Sequence, residues 1–99
     1  MPALLWSSVF ADWLNALADD KARILSRLDN AALGNFGDCD AIDEGVSEMR
    51  IHHGPGYRVY FIRDGLAVYV LLCAGDKASQ RRDIARAKQM ARDLKKDRR

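Results

Sequence analysis

The apolar positions change their spacing as the chain proceeds, and those changes divide it into elements. Ala3, Leu4, Leu5 and Trp6 make a short apolar start, compatible with a first strand that joins a sheet at its side. Val9, Phe10, Trp13, Leu14 and Leu17 then recur at helical spacing, and Ser7 or Ser8 can cap that stripe by accepting from a backbone N–H. This predicts an amphipathic helix ending near Ala18. Asp19 or Asp20 can cap a second helix with the stripe Ile24, Leu25, Leu28 and Ala32, which leaves Arg23 and Arg27 on its exposed side. With almost no loop between them, the two form a helical hairpin. From Leu33 to Gly45 the periodicity fails, so a loop is expected there, anchored by Phe36 and containing a brief extended piece at Ala41 and Ile42.

Between Glu48 and Cys73 the period becomes that of strands. Gly54-Pro55-Gly56 suits a three-residue hairpin loop and Asp64-Gly65 a two-residue one, which gives three antiparallel strands. The resulting register sets Met49 opposite Phe61, Ile51 opposite Val59 and His53 opposite Tyr57. On the other side, Tyr57 faces Leu72, Val59 faces Val70, Phe61 faces Val68 and Arg63 faces Leu66. Alternation then gathers Met49, Ile51, Tyr57, Val59, Phe61, Val68, Val70 and Leu72 on a core face. The opposite face collects Arg50, His52, Arg58, Tyr60 and Tyr69, with Ile62, Ala67, Leu71 and Cys73. After Gly75, Asp76 or Ser79 can cap a last helix whose stripe Ile84, Ala87, Ala91 and Leu94, with Met90 beside it, is expected against protein. Arg82, Arg86, Gln89, Arg92 and Lys96 lie on its other side, and Lys95 to Arg99 is expected to fray. The class is α+β: two N-terminal helices and a C-terminal helix on a small, mostly antiparallel twisted sheet, one domain over residues 1–99.

Composition narrows the setting. A hydrophobic content of 48% and a charged content of 30% are those of a soluble globular protein, and no apolar run approaches the roughly 20 residues that span a bilayer. With no basic and apolar leader pattern at the start, the cytoplasm is the default expectation. Cys39 and Cys73 lack zinc-ligand spacing, so free thiols are expected, with neither a metal nor another cofactor. The net charge of +2 is unevenly spread. Residues 1–76 carry 6 basic and 11 acidic side chains, while residues 77–99 carry 10 basic and 3 acidic. That asymmetry points the C-terminal part towards a polyanion or an acidic partner, although a solvated basic helix would look the same.

Two guanidinium groups, an imidazole and two phenols on one sheet face suggest anion binding, because arginine presents a planar fork matched to phosphate. The same residues also suit an ordinary wet sheet face.

Four pieces of the chain carry a resemblance. They are Phe10-x-x-Trp13-Leu14-x-x-Leu17; Gly34-Asn35-Phe36-Gly37-Asp38; Glu48-Met49-Arg50-Ile51-x-x-Gly54-Pro55-Gly56-Tyr57-Arg58-Val59-Tyr60-Phe61; and Leu71-Leu72-x-x-Gly75-Asp76-Lys77-x-x-Gln80-x-x-Asp83-Ile84. In this order, over residues 10–84, they resemble the RelE/ParE superfamily of bacterial toxins, and more closely the HigB-like addiction module killer proteins related to phage-encoded proteins. The resemblance implies a toxin that arrests translation by cutting mRNA at the ribosome, held in check by a helix-turn-helix antitoxin encoded nearby. Through that antitoxin complex alone it would meet DNA. Arg50, Arg58 and Lys77 fall where the family keeps basic residues, and Tyr60 and Gln80 fall on its motif.

Cleavage of this kind needs an acceptor for the 2′-OH proton, a stabiliser for the phosphorane oxygens and a donor to the leaving 5′-oxygen. Arg58 and Arg50 are assigned to the phosphate, Lys77 to a third cation or the acid, and His52, which titrates nearest neutrality, to the base. Tyr60 and Tyr69 would stack on a base or donate a proton. Gln80, Arg82, Arg86 and Arg92 would contact RNA along the last helix. Two rival readings use the same scaffold: a ParE-like protein that poisons gyrase without nuclease chemistry, and an inactive homologue that serves only antitoxin-dependent autoregulation.

Overall fold

In the computed structural model, which describes residues 2–97, the chain runs β1 (Ala3–Trp6), α1 (Ser8–Asn15), α2 (Lys21–Ala32), β2 (Cys39–Asp43), β3 (Val46–Ile51), β4 (Tyr57–Arg63), β5 (Val68–Gly75) and α3 (Gln80–Asp97). Ser7 caps α1 by accepting from the Phe10 N–H at 3.0 Å. Asp20 precedes α2, but its carboxylate makes no cap and turns instead to the β3–β4 loop. The stretch expected to be a loop holds a full strand, β2, antiparallel to β3. Phe36 anchors the segment before it, with its ring 5.2 Å from Phe61 and 4.8 Å from Tyr69. The sheet order is β1-β5-β4-β3-β2, with β1 parallel to β5 and every other pair antiparallel. The α+β class expected from the sequence is the class observed.

Both faces of this sheet are covered. On one lie α1 and α2, with Phe10, Leu14, Ile24 and Leu28 against Met49, Val59, Phe61 and Leu71. On the other lies α3, with Ala87 and Ala91 against Val46, Tyr60, Leu72 and Cys73. The face expected to be wet is therefore half a core, and Tyr60 is fully buried in it. The α3 stripe is as expected, but the fraying assigned from Lys95 onward is not seen through Asp97; residues 98 and 99 lie outside the described range.

Register explains which face each residue reached. In the first hairpin Met49 pairs with Val59 and Ile51 with Tyr57, because His52 and His53 join the turn. The slip from the expected register is two positions, so parity holds and the faces of β3 and β4 stay as read. In the second, Arg63 pairs with Tyr69, three positions from the expected Leu66, and a bulge opposite Tyr60 and Phe61 shifts the register again. An odd slip turns a strand over. Val70 and Leu72 accordingly go to the α3 side, while Tyr69 and Leu71 go to the α1–α2 side, so Tyr69 does not share a face with Arg58. Arg63 stabilises the longer turn by donating to the carbonyls of Gly65 at 2.9 Å and Leu66 at 2.6 Å. No helix among the described residues is long and apolar enough to cross a membrane.

Candidate functional site

Strand β3 reads Val-Ser-Glu-Met-Arg-Ile, and alternation sends Val46, Glu48 and Arg50 to the α3 side. Opposite Glu48 stands Tyr60, opposite Arg50 stands Arg58, and opposite Arg58 on β5 stands Gly75. Gly75 lets α3 come close, since a Cβ there would lie 1.9 Å from Asp83 Oδ2. A reciprocal cap starts the helix: the Ser79 N–H donates to Asp76 Oδ1 at 3.1 Å and the Asp76 N–H to Ser79 Oγ at 3.2 Å. Together these features deliver Gln80 and Asp83 onto the strands.

Glu48, only 3% exposed, is the centre of what results. Its Oε1 accepts from Arg50 Nη1 at 3.1 Å and from Arg58 Nη1 at 3.1 Å, and its Oε2 from Gln80 Nε2 at 2.9 Å. A carboxylate is tolerated at such burial because charged donors meet it. The other edge of Arg50 faces outward, where Nε donates to Asp38 Oδ2 at 3.1 Å, Nη2 to Asp38 Oδ1 at 2.7 Å, and Nη2 to Asp40 Oδ2 at 2.6 Å. Asp38 Oδ2 also meets His52 Nε2 at 2.6 Å, with the His52 side chain 74% exposed. Hydrogen bonds from Arg50 and then His52 hold the Asp38 carboxyl well below the usual range, while Asp38 and Asp40 push the guanidinium of Arg50 further up.

Arg50, His52, Arg58 and Gln80 are thus brought together. Tyr60 lies beneath them, and its hydroxyl is pushed up by burial and by Glu48. Its Oη and Arg58 Nε are buried without a hydrogen-bond partner among the described residues. Fully buried, Tyr60 cannot stack on a base as the sequence reading expected. Tyr69, on the other face, packs on Phe36 and Phe61. Lys77 is exposed at the same end of the sheet, beside the β3–β4 loop, where its N–H reaches the Pro55 carbonyl at 3.4 Å. His53 turns away from His52 to Asp20 at 3.0 Å, and the same carboxylate accepts from the Tyr57 hydroxyl at 2.6 Å.

Along α3, Arg82 and Arg86 are exposed. Arg92 is held by Glu44 at 2.8 Å, and Lys88 reaches Asp43 at 3.4 Å, so this half of the helix is clipped to the β2–β3 turn. The sequence reading missed Glu48, Asp38 and Asp40. Glu48 was findable, because it shares the parity of Arg50 on a strand that has no other carboxylate. Asp38 and Asp40 stood in a stretch taken for a loop. They change the electrostatics: three carboxylates meet two guanidiniums, so the cluster by itself is one charge negative, and Lys77 is the exposed cation at the same end of the sheet. Among the described residues no group of three or more His, Cys, Asp or Glu side chains is placed to hold a metal ion.

Comparison with known sequences places residues 12–96 on the family described as "Phage derived protein Gp49-like (DUF891)". The chain is similar to an uncharacterized protein of Haemophilus influenzae, 41% identical over 87 residues that cover 86% of this chain and 88% of the relative.

Proposed function

The chain belongs to the Gp49-like family of phage-derived proteins, a RelE/ParE-like toxin-type family, and from that premise we propose that it is the toxin of a type II toxin–antitoxin module, cutting mRNA on the ribosome. The nearer likeness to HigB-like killer proteins is part of this proposal. One observation carries the nuclease reading: Asp38 grips Arg50 and His52 at once, fixing an exposed imidazole beside a guanidinium pair.

The chemistry follows from that placement. With its Nε2–H donated to Asp38, His52 keeps the Nδ1 lone pair and takes the proton of the 2′-OH as that oxygen attacks the adjacent phosphorus. Arg58, whose guanidinium Glu48 steadies, faces the charge developing on the phosphoryl oxygens. Lys77 gives a proton to the departing 5′-oxygen, leaving a 2′,3′-cyclic phosphate and a free 5′-OH. Arg82 and Arg86 contact the RNA backbone, and Gln80 acts through Glu48. A helix-turn-helix antitoxin from a neighbouring gene would neutralise the protein, and DNA would be met only through that complex.

Two exposed groups and one guanidinium cannot by themselves hold a strand in line for attack, and that orientation is worth about 7 to 11 kcal/mol. The ribosome supplies it. Purified protein is therefore expected to cut mRNA on translating ribosomes and to leave naked RNA nearly intact; equal rates on both would refute the ribosome requirement. Inducing the chain in cells and mapping mRNA 5′ ends tests the nuclease itself. A non-catalytic reading is favoured by one feature, the neutralisation of Arg50 by Glu48, Asp38 and Asp40. Growth arrest with no new 5′ ends would select the gyrase-directed alternative, and no arrest at all the autoregulatory one.

A further inference from the structure

Arg50 has two unlike edges. Its inner Nη1 donates to Glu48, whose side chain is 4% exposed, and its outer Nε and Nη2 donate to Asp38 and Asp40, whose side chains are 42% and 67% exposed. The outer carboxylates also differ from each other. Asp38 is tied by three contacts, two from Arg50 and one from His52. Asp40 makes one, to Nη2 at 2.6 Å.

We infer that Asp40 occupies a phosphate subsite: a backbone phosphate of bound RNA replaces its carboxylate on Arg50 Nη2, while Asp38 stays and keeps His52 in place. This rests on the reading of the site as an RNA-cleaving one and names how its RNA affinity is set. An exposed pair of this kind contributes little to stability, so it can be exchanged, and a phosphate oxygen offers Nη2 the same charge-assisted bond. Glu48 cannot be exchanged in this way, because removing that buried carboxylate would strand the charge of Arg58, which is only 15% exposed. The displaced Asp40 swings into solvent, its backbone still paired across β2 and β3 opposite Glu48. Each RNA strand that binds must therefore compete with a carboxylate tethered beside the arginine, which keeps the protein weak on free RNA.

The test compares the intact protein with Asp40→Asn and with Asp29→Asn. The second variant removes one negative charge from the exposed side of α2 and serves as the control for net charge. The probe is a fluorescent 2′-O-methyl oligoribonucleotide, which lacks the attacking hydroxyl and is not consumed, titrated over a range of salt. Asp40→Asn should bind about three- to fivefold more tightly, with a steeper salt dependence, while Asp29→Asn stays near the parent. Thermal melting checks that the fold is kept, and Asp40→Ser stands in if the asparagine variant does not fold. Binding by Asp40→Asn equal to that of Asp29→Asn, or weaker than that of the parent, would overturn the inference and leave the RNA reading standing. No binding by any of the proteins, Asp40→Asn included, would also overturn the inference, whereas the RNA reading itself fails only if no new mRNA 5′ ends appear in cells.

Discussion

Glu48 and the two arginines show how a single carboxylate ties stability to the site. Removing it leaves Arg50 with Asp38 and Asp40 but strips Arg58 of its ionic partner, so Glu48→Ala is expected to cost about 2 to 3 kcal/mol in urea denaturation. Glu48→Gln should cost less, because an acceptor oxygen remains for the arginines. Arg58 needs a revised test for the same reason. From the sequence, Arg58→Ala would be expected to delete a wet-face cation without touching the fold. In the structure Arg58 is only 15% exposed and bonded to a buried carboxylate, so the alanine variant loses stability as well. Arg58→Lys separates the effects. It keeps the charge beside Glu48 and should hold the melting temperature within a few degrees, yet lose most toxicity in a growth assay because the planar fork is gone.

At the scale of elements, helices and strands were legible where one face of each meets a core. The stripes Phe10, Leu14 and Ile24, Leu28 and Ala87, Ala91 are buried as their spacing implied. What sequence could not supply was loop length, since His52 and His53 are equally acceptable in a strand or a turn, and the Asp64-Gly65 signal does not say that Leu66 and Ala67 also join the turn. Strand β2 was missed because Asp40 and Asp43 weaken its apolar pattern, and their partners Arg50 and Lys88 lie outside that stretch of sequence. Close approach at Gly75 gives a sharp test of the α3 docking. Gly75→Ala puts a methyl into Asp83 and is expected to cost about 1 to 3 kcal/mol, with faster hydrogen exchange in the first turns of α3. The link from α2 to the β3–β4 loop predicts a pH profile. Asp20 holds the Tyr57 hydroxyl up to about 12, against an ordinary value of 10.0, and Tyr57, then His53, hold Asp20 below 3.8. The tyrosine contribution is present in full below pH 10 and is lost as pH rises through about 12. That of the aspartate is present above 3.8 and is lost as pH falls through its lowered folded value. Tyr57→Phe should reduce stability between these limits and converge on the parent beyond each, as read from melting temperature against pH.

For the molecule as a whole, charge is less lopsided in space than along the chain. Lys88 and Arg92 of the basic helix pair with Asp43 and Glu44 of the acidic half, while Arg82 and Arg86 stay exposed. Arg82→Glu combined with Arg86→Glu is accordingly expected to weaken ribosome association and flatten its salt dependence, measured by co-sedimentation, whereas Arg92→Gln should act mainly on stability. Another whole-chain property follows from the parallel pairing of β1 with β5, which joins Ala3 to Val68 and Trp6 to Leu71. A protein is made from its N-terminus, so the opening strand must wait, unpaired and apolar, until most of the chain has been translated. Glu48 waits longer still, because Gln80 belongs to the last helix. Completion of the site therefore follows translation of α3, and until then Glu48 can meet the two arginines of its own hairpin but not Gln80.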